Sequence, residues 1–174
     1  VEDGVYGRHA LSIVKTSGVS AQVHQTIYPN NGTYTLECFV KTKDIVGSAK
    51  IKAQSTYTKY ILAEPGMPNT ETVVNDYEST AITSAQSKWT RIVIPGIFLQ
   101  DMNQAGSIKI IIDGTHTSGE LLVDAVKFTS EVNAVNGNLL LGGDIESSTL
   151  SKFTKVNCNT EDQIISGSMN LPYS

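Results

Sequence analysis

The chain has 174 residues, 40% of them apolar and only 17% charged. That is enough apolar content for one packed core, and too little charge for a surface built of helices or for a disordered chain. With 17 acidic and 13 basic residues the net charge is -4, and no basic stripe offsets it. This argues against a dedicated nucleic-acid binder, and no apolar run is long enough to cross a bilayer as a helix.

Residues 9–14 open the chain's β signals as a short apolar-rich strand. Ala21, Val23, Gln25 and Ile27 then alternate with Gln22, His24, Thr26 and Tyr28, and Pro29-Asn30-Asn31-Gly32 supplies turn chemistry. Tyr34, Leu36, Cys38 and Val40 alternate with Thr35, Glu37, Phe39 and Lys41, which predicts a strand with one buried face. Residues 48–60 form a long candidate strand, with Ala49, Ile51 and Ala53 on one face and Lys50, Lys52 and Gln54 on the other. Residues 64–69 hold two prolines and a glycine and read as loop. Residues 73–83 read as two short edge strands. Residues 88–94 form a strand that Pro95-Gly96 is expected to stop. Residues 107–113 and 120–128 are the last strands, joined by a turn over residues 114–119. No stretch carries a helical period. The expected fold is an all-β antiparallel sandwich of jelly-roll type over residues 1–130.

Residues 131–174 read differently, as a linker followed by a C-terminal segment too polar to fold alone. This part is either the start of a next repeat or a strand that completes this sandwich or a neighbouring one. Residues 138–146, with their apolar run, are the candidate strand. The linker spans at most about 25 Å when extended, so return to its own domain requires a vacant edge near the last strand.

A resemblance enters through several motifs. Gly7, Ala10, Leu11 and Ile13 form an opening strand, and Gln25 and Ile27 a second. The run from Gly32 to Lys41 reads "GTYTL..FVK", Trp89 with Ile92 or Val93 stands for a "W..V" strand, and the closing run from Gly119 to Phe128 reads "G.LLVDAVKF". Together they resemble the galactose-binding-like jelly-roll modules, the carbohydrate-binding-module-like domains of bacterial surface or wall-associated proteins. The "N.L.NG.FE" strand that usually begins such modules is not found before Tyr6, but Asn138, Leu139, Leu140, Gly142, Gly143, Asp144, Ile145 and Glu146 are similar to it.

The resemblance implies a structural calcium ion near Asp124, with Glu146 as the partner acid and Asp144 as the weaker choice, because hard oxygen ligands suit calcium. The competing reading has Asp124 accepting backbone hydrogen bonds. It also implies that Trp89 and Tyr34 are core aromatics. Aromatic rings stack against the C–H faces of sugars at little entropy cost. Tyr57, Tyr60 and Tyr77, with Gln54 and Arg91, are therefore the candidate carbohydrate-binding residues. His9, His24 and His116 have no metal-ligand spacing, and no phosphate loop or nucleophile elbow occurs. Cys38 and Cys158 make neither a disulfide framework nor a cysteine-only zinc site. The expected function is a non-catalytic, extracellular or cell-surface module that binds a glycan or cell-surface polymer, with no nucleic acid and no membrane insertion. The alternative is a structural spacer or self-assembling subunit completed by strand donation, in tandem or homo-oligomeric arrays.

Overall fold

The protein is described by a computed structural model, covering residues 9–16, 20–61, 69–132, 138–140, 153–157 and 163–166. Among the described residues ten strands run in chain order. They are β1 (His9–Lys15), β2 (Ala21–Ile27), β3 (Gly32–Val46), β4 (Lys50–Ile61), β5 (Asn69–Glu78), β6 (Thr90–Leu99), β7 (Ser107–Gly114), β8 (Ser118–Ser130), β9 (Thr154–Val156) and β10 (Gln163–Ser166). A 3-10 turn at Ser84–Gln86 is the only helical element among the described residues. Two five-stranded antiparallel sheets result. Sheet A has the order β10-β1-β8-β3-β6, and sheet B the order β5-β4-β7-β2-β9. Most neighbours are distant in sequence, as in a jelly roll.

The two-residue alternation of the sequence sets the two faces. From sheet A, Tyr34, Leu36, Cys38 and Val40 of β3 point inward beside Val123, Val126 and Phe128 of β8. Sheet B answers with Ile108, Ile110 and Ile112 of β7 and the smaller Ala53 and Ser55 of β4. Tyr34 belongs to this core as expected, its ring stacked on Phe128 at 5.0 Å between centroids and its hydroxyl donating to the Asn30 carbonyl. Trp89 does not. It is half-buried just before β6 and outside the core cluster, so the core-tryptophan expectation is corrected. The interior of β6 is filled instead by Ile94, Ile97 and Leu99.

Two strand boundaries also differ from expectation. Pro95-Gly96 does not end β6. The pairing passes from Leu36↔Ile94 to Tyr34↔Ile97, so the dipeptide is a bulge inside a longer strand. Glu131 fills it: its Oε1 accepts from the Gly96 amide at 2.9 Å and from the Thr35 hydroxyl at 2.8 Å. Proline has no amide to lose there, and a bulge is one of the few interior sites that tolerates it. The second difference is β5, a single regular ten-residue edge strand where two short ones were expected.

Chain beyond residue 150 closes one edge of each sheet, β9 along β2 and β10 along β1. Residues 138–140, the described part of the expected 138–146 strand, form no strand. They are tied to the end of β8. The Asn138 Oδ1 accepts from the Phe128 and Leu140 amides at 2.8 and 3.1 Å, and its Nδ2 donates to the Val126 carbonyl at 2.7 Å. Leu140 is then buried in the core. Residues 141–146 lie outside the described residues.

Candidate functional site

One end of sheet B carries a pocket of about 420 Å³. Its walls come from three places: the end of β4 (Tyr57 to Tyr60), Asn31 of the β2–β3 turn, and Gln100, Asp101 and Met102 after β6. Asp101 organises this arrangement. Its carboxylate accepts from the backbone amides of Thr58 at 2.7 Å, Asn103 at 2.8 Å and Ala105 at 3.0 Å. These amides hold the Asp101 carboxyl below the usual carboxylate range, the Ala105 and Thr58 amides most strongly. Asn31 locks the other side: its Nδ2 donates to the Asp101 carbonyl and its Oδ1 accepts from the Asp101 amide, both at 2.8 Å. Gly106 lets the loop approach β4, because a Cβ there would meet Leu99 at 2.8 Å and the Thr56 carbonyl at 3.2 Å.

The loop carboxylate is thus spent on backbone amides. What remains is Tyr60, 64% exposed, with Tyr57 and Gln100 also lining the pocket. Lys59 is paired with Glu71 at 3.2 Å. Tyr28, 75% exposed, lies in the same β2–β3 turn as Asn31.

The sequence candidates separate in the fold. Tyr57 and Tyr60 share the pocket. Tyr57 and Tyr77 meet through Phe98: Tyr57 packs edge-on to its ring at 6.4 Å, and the Tyr77 hydroxyl accepts from its amide at 3.0 Å. Both tyrosines also pack against the core, so they tie sheet B to β6 of sheet A. Gln54 is on the outer face of β4, donating to Asp76 at 2.8 Å. Arg91 is on the outer face of sheet A, held in a two-pronged ion pair with Glu37 at 2.8 and 2.7 Å. Asn31, Gln100, Asp101 and Met102 were not among the sequence candidates. The signal for them was present in Asp101-Met102-Asn103, an Asp whose side chain bonds the backbone two residues on.

Asp124 is fully buried, and its Oδ1 accepts from the Ala125 amide at 2.6 Å. It sits in a bulge where β8 loses register with β3 between Glu37 and Phe39, and Ala125 has a φ of 50°. Calcium takes roughly six to eight oxygens. Among the described residues no group of three or more His, Cys, Asp or Glu could hold a metal ion. Glu146 and Asp144, the other expected donors, lie outside the described residues. No helix among the described residues is long and apolar enough to cross a membrane.

No protein-family model matches this chain, and no curated protein does. Solved structures similar to it include the following three. TmCBM61 in complex with beta-1,4-galactotriose has 17% identity and a TM-score of 0.43, over 70% of this chain and 70% of that one. A Bacteroides thetaiotaomicron VPI-5482 chain assigned to sugar binding has 16% identity and a TM-score of 0.45, over 70% and 75%. The CBM22-1-GH10 modules of Clostridium thermocellum xylanase 10B, complexed with xylohexaose, have 18% identity and a TM-score of 0.42. There the match covers 75% of this chain and 23% of that one.

Proposed function

We propose that this chain is a non-catalytic, extracellular carbohydrate-binding or cell-surface adhesion module, and that a sugar ring docks on Tyr60 at the mouth of the end pocket. One observation carries the reading: an exposed tyrosine lines an end pocket whose loop is held by the Asp101 and Asn31 hydrogen bonds. A flat aromatic face excludes water from a sugar's C–H face, and nearby amides offer hydrogen bonds to its hydroxyls. Because the Asp101 network fixes the loop beforehand, docking requires little ordering of the protein. Tyr57 lines the same pocket with its ring committed to Phe98, so Tyr60 is the residue that offers an open aromatic face.

A glycan array followed by calorimetry with the best oligosaccharide tests the proposal. Tyr60→Ala is expected to abolish measurable binding while Arg91→Ala leaves it intact. A blank array, or binding untouched by Tyr60→Ala, would overturn the docking site and favour the spacer reading. The calcium reading at Asp124 and Glu146 also remains a proposal. It expects the melting temperature to rise with added calcium, and the rise to vanish in Glu146→Gln.

A further inference from the structure

We propose that two copies of this chain join edge to edge along β5, merging their B sheets across a two-fold axis at Val74. The argument begins with the direction of backbone groups. The Ser79 amide donates to the Ile51 carbonyl at 2.9 Å, continuing the register in which Lys52 faces Glu78. Hydrogen-bonded and non-bonded pairs alternate along an antiparallel ladder. The odd-numbered residues of β5 therefore bond β4, and Thr70, Thr72, Val74, Asp76 and Glu78 turn their amides and carbonyls to the open edge. All five are exposed.

Edge strands are usually protected by proline, lysine, bulges or covering chain. In this fold the other edges are treated in that way. β6 has the Pro95-Gly96 bulge, and its Phe98 amide is capped by Tyr77. The remaining edge strands, β9 and β10, are only three and four residues long, and very short edges are another such device. Among the described residues β5 is ten residues long, without proline, glycine, lysine, a register shift or a covering strand, and its acids are paired within the chain.

The row is also its own complement, which selects a second copy as the occupant. Residues 70, 72, 74, 76 and 78 are symmetric about Val74. An antiparallel partner in that register sets Thr70 opposite Glu78, Thr72 opposite Asp76 and Val74 opposite Val74. On the inner side Glu71 falls opposite Tyr77 and Val73 opposite Asn75. No like charges face each other. The acids are already matched within the chain, Glu71 by Lys59 at 3.2 Å, Asp76 by Gln54 at 2.8 Å, and Glu78 by Lys52 at 3.3 Å. The pairing would form about ten backbone hydrogen bonds and cover Val74, which is 51% exposed. The interface is isologous, so it closes at two copies.

The pairing needs no sugar, so its test is independent of the glycan reading. Sedimentation velocity over a rising concentration series compares the unaltered chain with Val74→Pro and Val74→Lys. The Val74 amide faces the open edge, so proline removes no bond to β4, and circular dichroism checks that both variants keep the fold. The expected result is a reversible doubling of mass in the unaltered chain, lost in both variants and retained in Val74→Thr. A chain that stays monomeric throughout, or a dimer that persists in either variant, would overturn the proposal.

Discussion

Asn138→Ala is the substitution that most sharply tests how the chain leaving β8 is anchored. One side chain satisfies three backbone groups, the amides of Phe128 and Leu140 and the carbonyl of Val126. Each such bond contributes about 1 kcal/mol net. Alanine removes all three, so the direct loss is about 3 kcal/mol. Loosening of Leu140, which is 5% exposed in the core, would add to it. For a domain of this size about 1 kcal/mol lowers the melting temperature by roughly 2–4 °C, so a fall of about 6–12 °C is expected. Urea unfolding and differential scanning calorimetry read the two quantities separately. Asn138→Asp keeps the acceptor but loses the donor to Val126, and should fall between the two. A melting temperature unchanged to within about 2 °C would show that residues 138–140 do not hold the end of β8 as described.

Other expectations follow from single features. Gly119 has a φ of 95°, and a Cβ there would lie 2.3 Å from the Asp44 carbonyl oxygen. Gly119→Ala should therefore cost about 3 kcal/mol or more in urea unfolding, from left-handed strain plus a backbone clash. Acid should remove stability in two stages. Burial, then the nearby charge of Lys109, depresses the His24 pKa from 6.5, and the backbone amides depress that of Asp101 from 3.8. In both cases the unfolded chain takes up the proton first. Each group's contribution is thus full above its unfolded pKa and is lost as pH falls through its folded value. His24→Gln should erase the stage that begins near pH 6.5, and a stability profile unchanged by it would refute that assignment. Cys38 is fully buried, and its thiol is pushed up to about 12, first by desolvation and then by Glu37. Peptide mapping after alkylation of the native protein at pH near 8 should find Cys38 unmodified; rapid labelling would contradict its burial.

The sandwich was legible because burial along β2, β3 and β4 follows a period of two. Tyr34, Leu36, Cys38 and Val40 could be assigned to one face with no knowledge of their partners, and all are buried. The errors arose where a local signal has two outcomes. Pro95-Gly96 reads as a stop, yet Glu131, 35 residues away, turns it into a bulge by bonding the Gly96 amide. Trp89 was assigned by likeness, and the space expected for it is filled by isoleucine and leucine of β6. The pocket was half legible. Tyr57 and Tyr60 stood out as aromatics near a strand end. Asn31 and Asp101 did not, because their meaning lies in a contact across 70 residues. Arg91 shows the converse: residue type suggested a binding group, but only the pairing of β6 with β3 reveals Glu37 beside it.

The central claim is that a sugar is received at the Tyr60 end of sheet B. It is tested most directly by following assigned backbone amide resonances while the oligosaccharide selected on the array is added. The account predicts saturable shifts confined to Tyr57–Tyr60, the β2–β3 turn around Asn31, and Gln100–Met102, and their disappearance in Tyr60→Ala. Saturable shifts centred instead on the outer face of sheet A around Glu37 and Arg91, or no shifts at saturating sugar, would contradict it.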